Sequence, residues 1–355
     1  PEAAWAGDVD VFGLATIKDL IAHTKGDEVL TPARPGKADD LPAEILDFAD
    51  IKGQDMAKTA AEMAAAGGHN LALAGPPGAG KSMTAKRITG LLPPLSSQEA
   101  LEVSLIHSVA DGLQKGLITQ RPFRSPHHSA SAVALCGGGH NAKPGEVSLA
   151  HRGVLFLDEL PEFASKVLET LRQPVEDGVI TISRANHHVT YPARFQLVAA
   201  MNPCKCGYLG DPARACSQAP LCSEKYLSKI SGPLLDRFDL KVSVPAVEIS
   251  HLQSTKTSED TATIRERVLK ARDMQYRRFN GKIECNADMS TKMTEEVVQP
   301  DSEGQKILSQ AAEKFKLSAR GYYRTLKVAR TVADLRGDKN VSRPHIAQAL
   351  GFRQF

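Results

Sequence analysis

The sequence predicts an α/β domain with a buried, parallel, five-stranded sheet, followed by a small all-α domain. One observation is a series of short apolar runs, each bounded by turn or helix signals, at residues 70–75, 101–109, 153–159, 195–202 and 240–245. Near-continuous apolar strands that alternate with helices are typical of a parallel sheet covered on both faces. The other observation is a change of character after Pro245, where a polar stretch precedes helical patterns over residues 261–350.

Composition limits the cellular context. The chain has 355 residues and a formal net charge of +3, which by itself does not indicate a nucleic-acid partner. No apolar run approaches the length of a membrane span, and six cysteines are too few for a disulfide scaffold in a chain of this length. We therefore expect a cytoplasmic protein that has no membrane partner.

The segment "GPPGAGKS" fits the pattern G-x-x-x-x-G-K-[ST] at every position, after the first predicted strand and before a helix. Glycines let backbone N–H groups face phosphate oxygens, and the helix N-terminus adds a positive end. Lys81 is expected to reach the β- and γ-phosphates, and Ser82 to hold Mg²⁺. The pattern predicts ATP and Mg²⁺ as cofactors, bound by Gly75, Pro76, Pro77, Gly78, Ala79, Gly80, Lys81, Ser82 and Met83.

Two later strands end in polar residues that suit the same site. The run "VLFLDE" ends in Asp158 and Glu159, and carboxylates at the end of a buried strand are costly without a role. Asp158 is predicted to join the Mg²⁺ site and Glu159 to polarise the attacking water. Asn202 ends the next run, "AAMN", and is predicted to orient the water and the γ-phosphate.

Two arginines are candidates for contact with the γ-phosphate. Arg237 lies between Asp236 and Asp239, so it is either a surface ion pair or an arginine finger that serves a neighbouring subunit. A finger that acts in trans requires a closed ring. Arg320 starts a helix in the C-terminal part and is the better candidate γ-phosphate sensor. Arg324 is the second candidate, and either could instead be a solvated helix charge.

Six longer sequence segments resemble those of a known family. They are "GGHNLALAGPPGAGKS", "RPFRSPHHSAS", "PGEVSLAHRGVLFLDELPEF", "LRQPVEDG", "YPARFQLVAAMNPCKCGY" and "SGPLLDRFDL". Over about residues 40–355 the chain resembles the ComM/YifB family of Mg-chelatase-like AAA+ ATPases. The resemblance implies a fold of the AAA+ P-loop NTPase class, with a parallel five-stranded sheet and a small helical lid.

The resemblance also implies a domain division. Residues 1–40 are expected to be the tail of a truncated N-terminal Lon-protease-like domain with its linker, which fits a chain that begins at Pro1. Residues 41–247 are expected to form the ATPase core, with pore insertions and a zinc knuckle. Residues 248–355 are expected to form the helical lid.

The function that the resemblance implies is that of a homo-hexameric, ATP-hydrolysing DNA motor. Such a motor acts on single-stranded and branched DNA and drives branch migration or unwinding during the integration of transforming DNA, with recombination proteins as partners. The alternative is a motor of the Mg-chelatase or MoxR type that remodels a protein partner. Basic tips on the pore loops favour DNA, whereas aromatic or hydrophobic tips favour a polypeptide.

In this branch of AAA+ proteins two insertions point into the ring's pore. The first corresponds to residues 121–146, "RPFRSPHHSASAVALCGGGHNAKPGE", with His140, Asn141 and Lys143 at its tip. The second is the hairpin "VITISRANHHVTY", which alternates with period two and turns at Ala185–Asn186. Its candidate DNA contacts are Arg184, His187 and His188. They are either contacts to phosphate, which ignore base sequence, or solvated loop charges.

The first helix of the C-terminal part is rich in basic residues. They are Arg265, Arg267, Lys270, Arg272, Arg277, Arg278 and Lys282. These basic residues form either a DNA-facing patch or a solvated face of the lid, and we favour the second interpretation.

Four of the six cysteines lie close together in the sequence: Cys204, Cys206, Cys216 and Cys222. Clustered thiolates in a cytosolic protein indicate a structural Zn²⁺ site. The family pattern has C-x-C at both pairs, whereas the second spacing here is C-x₅-C. The alternative is four free thiols in a surface loop.

Overall fold

The computed structural model of the chain describes residues 9–27, 29–33, 46–111, 117–139, 141–184, 187–209, 214, 216–247 and 258–353. It divides into two compact units. The first comprises the described residues of 1–43 and 94–121, and the second those of 44–93 and 122–355. Residue 40 lies outside the described residues, and the stretch directly after residue 247 does as well, so the division predicted at residues 40 and 247 stays a prediction.

The strands of the second unit are β1 to β9. In chain order they are Leu71–Ala74, Phe123–Arg124, Gly137–Gly138, Lys143–Pro144, Val154–Leu157, Val179–Arg184, His187–Pro192, Gln196–Met201 and Leu240–Ser243. Five of them form one sheet in the order β2-β5-β8-β1-β9, with every neighbouring pair parallel. The predicted parallel five-stranded sheet is confirmed.

One of the five predicted strands is wrong. Residues 101–109 belong to helix α4, Ser97–Asp111 in the first unit, and the second strand of the sheet is β2. Ser96 and Glu99 exchange hydrogen bonds between side chain and backbone at the start of this helix, which forms a capping box. The buried positions are spaced as on one side of a helix: Ala100, Val103, Ser104, Ile106 and Ala110.

The first unit also contains a helix near the N-terminal end of the chain. This helix, α1, spans Ile17–Lys25. A capping box between Thr16 and Asp19 begins it, and Gly26 in the left-handed conformation ends it.

Helices cover both faces of the sheet. On one face lie α2, Asp55–Gly67, and α3, Lys81–Leu91. Leu71 and Leu73 of β1 pack into the core on this face, whereas Ala72 and Ala74 pack into the core on the opposite face. That opposite core includes residues of α5 to α8, which span Ala132–Cys136, Glu146–Leu149, Ser165–Thr170 and Arg172–Asp177.

Two antiparallel ribbons leave the sheet where the insertions are predicted. Strands β3 and β4 form a short ribbon within residues 121–146, and β6 pairs with β7 in the predicted hairpin. The hairpin is confirmed in its strands, while its turn at residues 185–186 lies outside the described residues.

The C-terminal part is helical, as predicted. After α9, Leu221–Leu227, and α10, Gly232–Leu235, the helices α11 to α15 span Thr261–Arg278, Thr291–Val297, Ser302–Lys314, Ala319–Arg336 and Arg343–Gly351. Within the second unit, α11 and α14 pack against α2. In the part of the chain that the structure describes, no helix is long and apolar enough to cross a bilayer.

Candidate nucleotide-binding site

The phosphate loop connects the end of β1 to the start of α3. The N–H of Gly75 donates to the carbonyl of Met201 on the neighbouring strand, at 3.1 Å. Gly78 and Gly80 have positive φ angles of 76° and 87°, and a Cβ at either position would meet no atom within 4 Å. The loop therefore has the backbone geometry that needs glycine, and open space for a ligand beside it.

Lys81 lies at the centre of the site. Its ammonium group donates to the carbonyls of Gly75 and Pro76 at 2.6 and 2.8 Å, and to Oδ1 of Asn202 at 3.1 Å. Burial lowers the pKa of this ammonium, while the carboxylates of Asp158 and Glu159 oppose that shift. The structure thus brings Asn202, from the end of β8, to the lysine of the phosphate loop.

Ser82 and Asp158 are paired. The hydroxyl of Ser82 donates to Oδ2 of Asp158 at 2.8 Å. Both side chains are oxygen ligands that suit Mg²⁺. The donor set and its position at the start of α3 fit a Mg²⁺–phosphate complex.

Glu159 follows β5 in a left-handed conformation, with φ of 52° and ψ of 47°. A non-glycine residue in this region is uncommon and carries strain, which is frequent at functional sites. Its carboxylate is 52% exposed, and Nδ1 of His128 lies 3.5 Å from Oε2. No local pattern marks His128 as part of this site, although the residue belongs to the segment "RPFRSPHHSAS".

An open cavity of about 610 Å³ adjoins the phosphate loop. Three further parts of the chain contribute to its wall, in addition to the loop itself. The cavity is lined by Asp50, Ile51, Lys52, Gln54, Pro76, Pro77, Gly78, Ala79, Gly80, Met83, Tyr208, Arg214, Ala246 and Val247. Pocket residues outside the loop were not predicted, because no local pattern marks them.

The two predicted phosphate-facing arginines meet at Glu176. The guanidinium of Arg237 donates to the carbonyls of Arg172 and Pro233 at 3.2 and 2.7 Å, and forms an ion pair with Glu176. Arg320 contacts the other carboxylate oxygen of Glu176 at 3.4 Å. The Arg237 side chain is 7% exposed and that of Arg320 is 66% exposed. Glu176, in the phrase "LRQPVEDG", is a residue that the sequence reasoning missed.

Arg324, the second candidate sensor, contacts a different carboxylate. It donates to Oδ1 of Asp239 and to the carbonyl of Arg237, both at 2.8 Å. Asp239 is buried, and it also lies 3.7 Å from Nδ1 of His69. Burial opposes ionisation of Asp239, yet Arg324 and His69 lower its pKa below the ordinary value overall. Arg324 therefore connects α14 to the segment before β9.

The segment that follows β8 and carries Cys204, Cys206, Cys216 and Cys222, here called the cysteine loop, contains a thiol cluster. The sulfur atoms of Cys204, Cys206 and Cys222 lie within 4.8 Å of one another. Cys216 lies outside that group, but its thiol interacts with those of Cys206 and Cys222. Hydrogen bonding, first of all with Cys204, lowers the pKa of Cys206 to about 6. Burial raises the pKa of Cys222 to about 12.

The two insertions contact each other. The hydroxyl of Tyr191 on β7 donates to the carbonyl of Ala142 at 2.9 Å. A Cβ on Gly137 would lie 2.9 Å from Cδ1 of Ile182, so ribbon and hairpin are closely packed. Lys143 and His188 are exposed. His140 and the side chains of Arg184 and His187 lie outside what the structure describes.

Basic residues of the first insertion, residues 121–146, and of α11 contact carboxylates of this chain. Arg124 binds Glu146 through two contacts of 2.6 Å. On α11 the ion pairs are Arg267 with Glu62 and Glu259, Lys270 with Glu266, Arg277 with Asp273 and Arg278 with Asp334. These pairs favour the interpretation of α11 as a lid surface rather than a DNA-facing patch.

Two family models match the chain. The model described as "Magnesium chelatase, subunit ChlI" matches residues 47–252, and the one described as "Magnesium chelatase, subunit ChlI C-terminal" matches residues 258–353. Together they cover the sheet, the insertions, the cysteine loop and the C-terminal helices.

Similar proteins are known from several organisms. The competence protein ComM of Haemophilus influenzae is 47% identical over 99% of this chain and 69% of its own length. The uncharacterized protein YifB of Escherichia coli is 47% identical over 86% of this chain and 60% of its own length. The chloroplastic magnesium-chelatase subunit ChlI of Glycine max is 24% identical over 61% of this chain and 46% of its own length. By its sheet, its phosphate loop and these matches, the chain belongs to the ComM/YifB family of Mg-chelatase-like AAA+ ATPases.

Proposed function

We propose that this chain is the ATP-hydrolysing subunit of a hexameric ring that drives DNA branch migration or unwinding during the integration of transforming DNA. The observation that carries the ATPase part is the convergence of three separate segments: Lys81 contacts Asn202, and Ser82 contacts Asp158. The DNA part depends on the likeness to a competence protein and on the paired insertions.

In the proposed reaction Lys81 binds β- and γ-phosphate oxygens in exchange for its contacts with the carbonyls of Gly75 and Pro76. Ser82 and Asp158 would hold Mg²⁺, and the ion would supply positive charge to the phosphates. Glu159 accepts a proton from the attacking water, and Asn202 orients the water toward the γ-phosphate. Because Glu159 lies beside His128, rotation of either side chain changes how the base is held.

We further propose that Arg237 serves the active site of a neighbouring subunit and that Arg320 contacts the γ-phosphate. A guanidinium at a transferring phosphoryl group stabilises transition-state charge. Arg237 is already oriented by two carbonyls and Glu176. A ring would therefore have to place the neighbour's nucleotide against this prearranged group.

Replacing Arg237 with alanine is expected to abolish hydrolysis in the assembled ring, by about a thousand-fold or more if it acts as a finger. Mixing this variant with Glu159→Gln subunits should restore part of the activity, because each variant supplies what the other lacks. Phosphate release from defined mixtures measures this. The control is Arg172→Ala, which removes an exposed ion pair with Glu169 and should leave activity intact. Mixed rings without any recovery would contradict action in trans.

The two insertions support a DNA-facing pore. They are joined by the hydrogen bond from the hydroxyl of Tyr191 to the carbonyl of Ala142, so they lie side by side. Their exposed residues include Asn141, Lys143 and His188, which are polar or basic. Such groups suit contacts to phosphate that do not depend on base sequence.

The second candidate function is a motor that remodels a protein partner. The match to magnesium-chelatase subunit models favours it. ATP hydrolysis measured with forked DNA, with single-stranded DNA and without DNA separates the two. Stimulation by DNA supports the DNA motor, whereas a rate that responds only to a protein partner supports the second function.

We propose that the cysteine cluster holds a structural Zn²⁺. The donor set suits this ion, because three thiols already lie within 4.8 Å and a tetrahedral site takes sulfur ligands at about 2.3 Å. Hydrogen bonding, first of all with Cys204, lowers the pKa of Cys206, and this favours the thiolate form that binds metal. Cys216 is the candidate fourth ligand, since it interacts with two of the others.

The purified protein is expected to contain one zinc per chain. Cys204→Ser should lose it, and Cys206→Ser should lose it as well, so that the result does not depend on one buried position. Elemental analysis by mass spectrometry measures the metal. Cys136→Ser is the control, because that thiol bonds to Thr170 away from the cluster. A metal-free wild-type protein with normal thermal stability would rule out this site.

The remaining parts of the proposal follow the family. Residues 41–247 would form the ATPase core and residues 248–355 the lid, after the tail of a Lon-protease-like domain in residues 1–40. None of the six cysteines, all of which the structure describes, forms a disulfide, which supports a cytoplasmic location. Recombination proteins are the proposed partners.

A further inference from the structure

The cysteine loop approaches the phosphate loop at two places. At its start, Asn202 contacts the ammonium group of Lys81 at 3.1 Å. Further along, Gly207 is buried against Pro77, so closely that a Cβ on Gly207 would lie 2.6 Å from Cδ of the proline. Gly207 also has a positive φ of 84°, so this approach depends on glycine. The segment from 202 to 207 is thus held along the phosphate loop.

The residue after Gly207 reaches the nucleotide cavity. Tyr208 is half-buried and forms part of the wall of the 610 Å³ cavity, together with Pro76 to Gly80. The guanidinium of Arg214 lies 4.5 Å from the centre of the Tyr208 ring and lines the same cavity. A cation over an aromatic face restrains the ring. The wall therefore offers a fixed aromatic group next to the phosphate loop.

The thiol cluster adjoins the segment that leads to Tyr208. Cys204 and Cys206 flank the turn before Gly207, with their sulfur atoms 3.0 Å apart, and Cys222 closes the group from α9. A hydrogen bond also connects α9 to this segment, since the hydroxyl of Ser223 donates to the carbonyl of Pro203 at 2.7 Å. The start of α9 and the segment before Tyr208 are consequently held as one piece.

From this geometry we propose that Tyr208 contacts the bound nucleotide and that the cysteine cluster holds it there, so that nucleotide affinity depends on the cluster. The proposal rests on the proposed nucleotide site and adds a binding residue to it. The ligand is a nucleoside di- or triphosphate, recognised by the phosphate loop and by the ring of Tyr208. The cluster would then support nucleotide binding as well as the fold of its own loop.

Calorimetric titration with Mg²⁺ and ADP tests this without any need for hydrolysis or a ring. Tyr208→Ala is expected to weaken ADP binding about ten-fold, within the range of one aromatic contact to a base. Tyr208→Phe should bind within two-fold of wild type, because the ring is kept. Cys206→Ser should weaken binding in the same direction, although it alters no residue of the cavity wall.

Matched controls separate this effect from general damage. Tyr276→Ala removes a tyrosine that is 60% exposed on α11, and Cys136→Ser removes a thiol outside the cluster; both should bind ADP normally. ADP affinity of Tyr208→Ala within two-fold of wild type would overturn the contact. Normal affinity of Cys206→Ser would overturn the dependence on the cluster. If the proposed nucleotide site were wrong, wild type itself would fail to bind ADP.

Discussion

Glu159→Gln is expected to bind ATP with near wild-type affinity and to hydrolyse it at least about a hundred-fold more slowly. A glutamine keeps the size and polarity of the side chain but cannot accept the proton of the attacking water, and a general base contributes about 10²- to 10⁴-fold to a rate. Affinity should change little, because Lys81 and Ser82 are untouched. Titration with ATP and single-turnover measurement of phosphate release report the two quantities separately.

Glu162→Gln is the matched control for this prediction. Glu162 lies three residues further along, in the short 3₁₀ helix Leu160–Glu162, and pairs with Lys229 at 3.8 Å. The same chemical change at this position should leave turnover close to wild type. Normal turnover by Glu159→Gln would show that the base lies elsewhere, and His128, beside it, would be the next residue to replace.

Lys81→Ala is expected to lower ATP affinity by at least about a hundred-fold and to remove hydrolysis with it. Hydrogen bonds to charged groups contribute about 1.5–3 kcal/mol each, and this lysine is positioned to reach two phosphates. The ammonium is already buried and held by Gly75, Pro76 and Asn202, so little ordering is needed when ATP binds. Equilibrium titration with ATP measures the loss.

Lys86→Ala provides the comparison, because Lys86 is an exposed lysine on the same helix. It should bind ATP as the wild type does. Thermal unfolding without nucleotide verifies that both variants are folded. ATP affinity retained by a folded Lys81→Ala protein would contradict the assignment of the phosphate loop.

Local sequence patterns predicted most strands of the sheet. They failed at one short apolar run, because such a run is compatible with either a strand or a helix. The runs before Gly75, Glu159 and Asn202 are short, apolar and closed by polar residues, and they are strands. The run at 101–109 is also apolar, yet it continues a helix that starts with the capping box of Ser96 and Glu99. The S-x-x-E pattern of a capping box is visible in the sequence and distinguishes this helix from a strand.

The residues of the candidate site also fall into two groups, those that a local sequence pattern identifies and those that only the fold brings together. The phosphate loop is contiguous, so its spacing identified Lys81 and Ser82. Glu176 and Tyr208 could not be found by this reasoning, because their importance comes from residues distant in sequence: Glu176 meets Arg237 and Arg320, and Tyr208 shares a cavity with the phosphate loop. Only the folded chain shows these neighbours.

ATP-dependent branch migration on a synthetic three-strand DNA junction tests the central claim most directly. The chain spans 69% of the length of its ComM relative, and the assay is run with this chain and, for comparison, with that relative. We predict that the wild type moves the junction with ATP and that Glu159→Gln does not. A wild-type protein that hydrolyses ATP but leaves the junction in place would contradict the assignment as a DNA motor.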